Sequence, residues 1–595
     1  MKYDNKNFIL AIVLSMLIIF GWQYFYAAPL QQQLTAQTET AQTQQDTQGQ
    51  TAPAAGGAVP GAGGASAVAS REDALAATPR LKIETEFVSG SINLKGAMID
   101  DLHLLRYRET IDPKSPTITF LSPSGTLNAL FAEQGMVSVA GSTAKLPGPD
   151  TVWSAPAGAL LSESSPVTLT WDNGEGLLFT RKIEISDQYL FTVTQTVTNR
   201  SPAPVAVVPY ARIQRQDTPY VEGYWVFFEG MLGWIDGSLR EVHYSDIAEQ
   251  QQPEKADSIG GWLGFTDKYW AAAVIPDQKM PVTASFLHTK LGSRDLYQTD
   301  YLARDALTVG PGASLSHTDR LFAGAKVVRT INAIEQRHQI DGFNYMIDWG
   351  WFYFLTKPFF YLLDWLNGMV GNFGVAILLA TVLVKAAVFP LANKSYASMS
   401  KMKKLQPEME RLKQEYPDDR MKQQQGMMEL YKREKVSPLS GCLPVVVQIP
   451  IFFALYKVIL TSIELRHAPF FGWIQDLSAP DPTSLFNLFG LIPWTPPHML
   501  MIGVWPIIMG ITMWLQMRLN PTPPDPVQAS LFNWMPVIFT FMLGTFPVGL
   551  VIYWAWSNTL SIAQQSLIMK RHGVEIDFLG NIRNSLPFLK KKASG

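Results

Sequence analysis

Apolar and polar positions change their spacing several times along the chain, and each change predicts a different element. Phe8–Tyr26 is apolar except for Ser15 and Gln23, long enough to span hydrocarbon as one helix. Lys2 and Lys6 precede it, and it ends in Trp22, Tyr24, Phe25 and Tyr26. A cleaved signal peptide is the competing reading, with Ala27-Ala28 as the processing site. The aromatic cluster suits the headgroup layer better than a peptidase site. Residues 1–27 are therefore predicted to be an uncleaved anchor. No Lys or Arg follows until Arg71, so the N-terminus is expected in the cytoplasm. Residues 28–78, rich in Gln, Ala, Thr, Gly and Pro, read as a flexible linker.

From 79 to 335 the period falls to two. Leu81-Lys82-Ile83-Glu84-Thr85-Glu86-Phe87 alternates, as do Lys182–Ile185 and Tyr189–Val197. Alternation puts one face on a core and one in water. Asn173-Gly174, Ser186-Asp187 and Pro311-Gly312 supply turns. The expectation is a large antiparallel β-sandwich lying outside the cytoplasm. Its scattered His103, His243, His288 and His317 show no metal or nucleophile spacing, and surface or core packing is the plain reading. The aromatic run Gly223–Phe228 reads as a contact surface or as core.

Between 343 and 366, aromatic residues such as Tyr353, Phe354, Tyr361 and Trp365 crowd together, interrupted by Asp348, Lys357, Pro358 and Asp364. That pattern predicts an amphipathic helix lying in the membrane interface at 340–368. Spanning helices follow at Asn372–Leu391, Pro438–Ile463 and Leu500–Leu519. Residues 526–569 form a hairpin of two further spans broken at Gly544–Gly549. With the anchor this makes six transmembrane helices, five of them in a core at 370–572.

Charge agrees with this topology. The 392–437 loop carries eleven Lys and Arg and the 570–595 stretch six, whereas 464–498 carries only Arg466. The positive-inside bias places the loop, the basic tail 573–595 and both termini in the cytoplasm. Within the loop, 395–437 reads as a helical hairpin. Its apolar stripe is rich in thioethers: Met399, Met402 and Met409, then Met421, Met427 and Met428. A self-packed hairpin is the plain reading. Flexible methionines also suit a surface that meets many different apolar segments.

Overall charge is −2 and charged residues are 16%, against a typical ~25%; mean hydropathy is +0.05. These values point to a membrane protein and away from a general nucleic-acid binder. A single cysteine, Cys442, excludes an intramolecular disulfide, a cysteine zinc site and a lipoprotein anchor. HExxH, GxSxG and Walker A patterns are absent, so no catalytic residue, metal or cofactor is assigned.

A cation lies inside the predicted span Asn372–Leu391. Lys385 follows Thr381 by one helical turn, and no acidic residue in the other spans matches it. It either snorkels to the cytoplasmic end or faces a hydrated cavity. Gln448, Thr512, Gln516, Ser557, Asn558, Gln564 and Gln565 either bond helix to helix or line that cavity with it.

Several motifs carry a family resemblance. They are Glu434-Lys435-Val436-Ser437-Pro438-Leu439-Ser440-Gly441-Cys442-Leu443-Pro444, Gln448-Ile449-Pro450-Ile451-Phe452, Met535–Thr540, Phe546–Trp554 and Ser557-Asn558. The chain resembles the YidC/Oxa1/Alb3 family of membrane-protein insertases, and its anchor, linker and β domain are similar to the Gram-negative bacterial form. The resemblance implies an inner-membrane protein with its β domain in the periplasm, which inserts and folds other membrane proteins without chemical catalysis. It implies a groove open to cytoplasm and lipid, in which a cation draws in the client's polar tail. That groove would hold Lys385, Thr381, Gln448, Thr512, Gln516, Tyr553, Trp554 and Ser557. Lys385 stands where the family usually has arginine, and Trp554 where it has a tyrosine. Phe452, Met509, Met513, Met542 and Phe546 would form the client-contact face. Implied partners are nascent inner-membrane proteins, the Sec translocon with its accessory subunits, and membrane lipids; the basic tail would meet ribosomes or anionic lipid. A secondary transporter or channel would need paired charges and internal repeats, which are not seen. An envelope-assembly enzyme with its activity in the β domain is the other rival.

Overall fold

The computed structural model describes residues 69–220, 227–250, 252–417, 419–434, 436, 443–494, 497, 501–520 and 526–573. The predicted anchor, most of the linker, Gly223–Val226, much of the Glu434–Pro444 motif and the tail beyond 573 lie outside the described residues. Within the range read as linker, helix α1 (Arg71–Ala76) is capped by Ser70, whose hydroxyl accepts from the Asp73 N–H at 3.1 Å. The Arg71 guanidinium pairs with the Asp101 carboxylate of the sheet.

The alternating region forms two sheets. The larger runs Glu254–Ile259, Pro281–Leu291, Arg294–Ala303, Val205–Gln216, Leu130–Ser138, Met98–Arg108, Val88–Asn93, Arg80–Glu84, Leu160–Leu161. The smaller runs Ser238–Val242, Gly230–Ile235, Trp262–Thr266, Trp270–Ile275, Ser314–Ala325, Leu190–Asn199, Leu177–Ser186, Val167–Asp172. Every pairing is antiparallel except the short Arg80–Glu84 contact with Leu160–Leu161. The period of two is the cause: in Leu177–Ser186, the side chains of Leu177, Phe179, Ile183 and Ile185 are buried and their neighbours are not. Arg181 shares the buried face. It donates to the carbonyls of Ala97 (3.1 Å) and Gln134 (2.6 Å) and to the Gln195 side chain (3.0 Å), so its charge is hydrogen-bonded rather than stranded. His317 is likewise a core residue, bonded to Asp319 at 2.7 Å.

Helix α2 (Tyr244–Glu249) lies within the β region, and α3 (Val328–His338) closes it. Helix α4 (Tyr353–Val370) buries Phe359, Phe360, Leu363 and Leu366 and exposes Tyr353, Phe354, Tyr361 and Trp365. Of the helix expected over 340–368, the α-helix begins only at Tyr353, and Phe343–Met346 before it is a short 3-10 turn. The remaining helices are α5 (Phe373–Ala387), α6 (Phe389–Lys404), α7 (Gln406–Glu415), α8 (Arg420–Arg433), α9 (Leu443–Thr461), α10 (Val504–Leu519), α11 (Pro526–Leu543) and α12 (Val548–Arg571). One hydrophobic cluster runs unbroken from the sandwich through α3 and Phe343–Trp349 into α4, α5, α9 and the start of α12.

Two breaks differ from the sequence reading, and both have a proline at the second helical position. The span expected over Asn372–Leu391 ends at Ala387, and α6 leaves at 68°; Pro390 has no N–H for the helix to use. The first arm of the expected hairpin is divided at Leu405, ahead of Pro407. Arm then meets arm: Arg433 pairs with Glu408 at 2.5 Å. Met409 and Met399 are buried, Met402 and Met427 half-buried, and Met421 and Met428 exposed. Among the described residues no single helix is long and apolar enough to cross a membrane by itself; α5 and α6 reach that length and apolar composition only as a pair bent by 68°.

Helices α10 and α11 meet at a glycine. A Cβ at Gly510 would lie 2.0 Å from the Thr540 hydroxyl, the close approach that small residues permit. Gly510→Val is expected to force the pair apart and cost about 1–3 kcal/mol, read as a lowered melting temperature of the solubilised chain.

Candidate functional site

Polar side chains of α5, α9 and α12 meet around Lys385. Tyr553, Ser557 and Ser561 are four apart and form one stripe on α12. Lys385, in the last turn of α5, points at this stripe: its ammonium donates to Ser561 Oγ at 2.7 Å and to Gln448 Oε1 at 3.4 Å. Gln448, on α9, returns its amide N–H to Ser557 Oγ at 2.8 Å. Tyr553 lines the same pocket beside Gln448. Three helices are thus joined by one circuit of neutral oxygens around one cation. Val384, Val388, Leu391, Val447 and Ile451 wall the pocket, with Thr381, Tyr396 and Gln564 completing it. Thr381 gives its hydroxyl back to the Ile377 carbonyl at 2.7 Å, so its methyl is what it offers. The Gln564 amide nitrogen is buried without a hydrogen-bond partner.

Lys385 makes no ion pair among the described residues. A unit charge lined by neutral dipoles attracts an anion with ~4 kcal/mol at 4 Å for an effective dielectric near 20. The lysine turns toward the α9–α12 seam rather than along the helix to its end, which favours the cavity reading over snorkelling.

The other expected groove residues are placed elsewhere. Thr512 accepts from Asn558 at 3.3 Å and donates to the Met509 carbonyl at 2.9 Å. Gln516 is half-buried on α10 and does not line the pocket. Trp554 packs on Phe452, with ring centroids 4.7 Å apart, and on Phe539 at 5.6 Å. Tyr456 continues the stack from Phe452 to Phe546 at 5.3 Å. Met509 and Met513 are buried with Leu543, Val551 and Ala555. Of the five residues expected to meet a client, only Met542 is exposed.

Sequence reasoning missed Ser561, the nearest partner of Lys385, although its four-residue step from Ser557 was there to find. It also missed Lys457, a second cation within the predicted Pro438–Ile463 span. Its ammonium meets Asp348 at 2.5 Å, and Asp348 also accepts the Phe228 and Gly350 N–H groups at 2.9 Å.

At the sandwich end the helices are fastened to the β region. Glu464, just beyond α9, accepts the Val328 N–H at 2.9 Å and so caps α3, which has no side-chain cap of its own. Arg329 of α3 pairs with Asp364 of α4 at 2.7 Å. Arg466 donates to the Arg108 carbonyl at 2.8 Å. Burial pushes the Glu464 carboxyl up from 4.5 to about 7, against the opposing pull of the Val328 N–H. Between these pH values the folded chain holds a proton that the unfolded chain has lost, so stability falls as pH rises through this window and levels above it. Glu464→Gln is expected to remove that fall, measured as melting temperature from pH 4.5 to 8 (roughly one unit past the folded value).

Residues 80–362 match the model of the YidC periplasmic domain, and residues 365–575 that of the 60Kd inner membrane protein. A membrane protein insertase YidC of Bradyrhizobium diazoefficiens is 51% identical over 98% of this chain and 99% of its own length. One of Nitrobacter hamburgensis is 52% identical over 98% of each. Among solved structures, an active YidC insertase with its first transmembrane domain resolved is 20% identical, covering 81% of this chain and 91% of its own, at a TM-score of 0.34. A galactose mutarotase-like protein of Lactobacillus casei is 12% identical, covering 41% of this chain and all of its own, at a TM-score of 0.28.

Proposed function

The chain belongs to the YidC family of membrane protein insertases, and from that premise we propose how its pocket does the work. The protein resides in the inner membrane, with its β domain in the periplasm, and inserts other membrane proteins. Lys385 draws the acidic or polar tail of an incoming client into the α5–α9–α12 pocket from the cytoplasmic side. The client's apolar segment then leaves sideways into lipid. No bond is made or broken; the driving force is the client's own transfer into hydrocarbon.

The observation that carries this reading is the cation surrounded by neutral acceptors. Helix length supports it. Four of the five core helices are short: α5 has 15 residues, α10 16, α11 18 and α9 19, or ~22–29 Å at 1.5 Å per residue, while α12 alone has 24. Those four fall short of the ~30 Å hydrocarbon layer, and short spans thin the bilayer around them. A thinner layer shortens the path over which a polar tail is desolvated. The five core helices span with the N-terminal anchor as a sixth, both termini and the α7–α8 hairpin being cytoplasmic. Met542 and the exposed Met421 and Met428 meet apolar client segments. The Sec translocon hands over some clients, and the tail contacts ribosomes or anionic lipid.

The test is reconstitution. Purified full-length chain in liposomes is expected to render a small acidic-tailed client protease-protected without the translocon. Equal protection in empty liposomes would contradict the reading.

A further inference from the structure

The connection from α9 to α10 contains a feature with no place in the groove. Residues 482–494 carry no charge, yet their large apolar side chains point outward. Leu491 is 83% exposed, and Leu485, Leu488, Phe489, Ile492 and Trp494 are also exposed. The base of this segment is built firmly. Asp481 is buried and accepts the Trp473 indole N–H at 3.2 Å, the Thr483 hydroxyl at 2.7 Å and the Trp505 N–H at 2.9 Å. The Leu485 N–H donates to the Ile502 carbonyl at 2.9 Å. The tip is equally defined: the Phe489 N–H reaches the Ser484 carbonyl at 2.8 Å and the Ile492 N–H the Asn487 carbonyl at 3.0 Å. Leu488 and Phe489 hold φ of +50° and +58°, a left-handed conformation that bulky residues rarely adopt.

An apolar patch of this kind, held out against its backbone preference, is built to be covered. The cover is identified by chemistry and attachment. The uncharged segment is tied at its base to the residues that enter α10, through the Leu485–Ile502 bond and the Asp481 bond to Trp505, and α10 exposes Ile508 and Ile511 as α11 exposes Val537, Ile538 and Phe541, the apolar side chains that a spanning bundle turns to lipid. The same connection is bonded to the first turn of α12, through Val548 N–H to the Ala479 carbonyl (2.8 Å) and Gly549 N–H to the Leu477 carbonyl (3.0 Å).

We propose that residues 485–494 are a lipid-immersed finger: their side chains sit among the acyl chains of the periplasmic leaflet and set the depth of α9, α10 and α12. The proposal rests on the insertase reading for its membrane. Because the chain has one cysteine, Cys442→Ser gives a background for single labels. An environment-sensitive fluorophore is placed at Leu491→Cys, with Ile538→Cys as lipid reference and Ser164→Cys, on the β domain, as water reference. The full chain is reconstituted in phosphatidylethanolamine–phosphatidylglycerol vesicles. Nitroxides on the acyl chains are expected to quench the labels at 491 and 538, and aqueous iodide only the one at 164. Iodide quenching at 491 with lipid quenching kept at 538 overturns the finger and leaves the spanning reading standing. Iodide quenching at both overturns the two together. Protection of 491 from both agents, with energy transfer between labelled copies, assigns the patch to a second copy and also overturns the proposal. As a functional readout, Leu488→Asp with Leu491→Asp is expected to lower client insertion several-fold, while the corresponding pair of Met substitutions keeps it.

Discussion

Lys385→Glu abolishes insertion of an acidic-tailed client, and Lys385→Ala slows it at least about tenfold, the equivalent of 1.4 kcal/mol. The size follows from the pocket. The ammonium faces Ser561, Gln448 and apolar walls, so little nearby charge offsets its pull, and partial burial limits screening by salt. Reversing the sign turns attraction into repulsion of similar magnitude, ~4 kcal/mol at 4 Å and an effective dielectric near 20. Lys385→Arg keeps the charge and adds fixed donors that can address the two oxygens, so near-native insertion is expected. Clients carrying a neutral tail serve as the control. Their insertion changes little across the series, which separates loss of attraction from loss of fold. Initial rates of protease protection in proteoliposomes measure all of this.

Asp348→Asn carries the second large effect, on stability rather than on transport. Asp348 lies ahead of α4 and Lys457 near the end of α9, and the lysine side chain is almost fully buried. Asparagine keeps an oxygen for the Phe228 and Gly350 N–H groups but removes the counter-charge. Leaving a buried cation without it costs about 3–5 kcal/mol. The solubilised protein is expected to melt at a distinctly lower temperature, with the junction between sandwich and helices opening first. Adding Lys457→Met to Asp348→Asn removes the buried charge that lost its nearest counter-ion and is expected to recover much of the loss. A double variant no more stable than the single one would show that the pair is not what holds this junction.

The sandwich was legible because its signal is local: a period of two, repeated with turn residues between runs, leaves few alternatives. The helical region was legible through its apolar composition. What was hidden depends on contacts between distant positions or on backbone geometry. Pro390 sat inside an apolar run and was counted as part of a span, although a residue lacking an N–H marks where α5 gives way to α6. Lys457 was masked by the apolar residues around it, and its partner lies 109 positions away. Lys385, Gln448, Tyr553 and Ser557 could be grouped by resemblance, yet Ser561 required following the α12 stripe one turn further. Thr512 and Gln516 have the right chemistry but occupy α10, away from the pocket, and helix rotation is not written in composition. The 485–494 segment is too short and irregular to register as a span, so its apolar character passed as an ordinary loop.

The central claim is that the client's polar tail enters the pocket beside Lys385. The most direct measurement places a photo-crosslinking amino acid at Ile451, which lines that pocket, and arrests an acidic-tailed client during insertion. The account predicts a cross-link to the client's tail, lost when Lys385→Glu is added and kept with Lys385→Arg. Efficient insertion with no tail cross-link at Ile451 would contradict it.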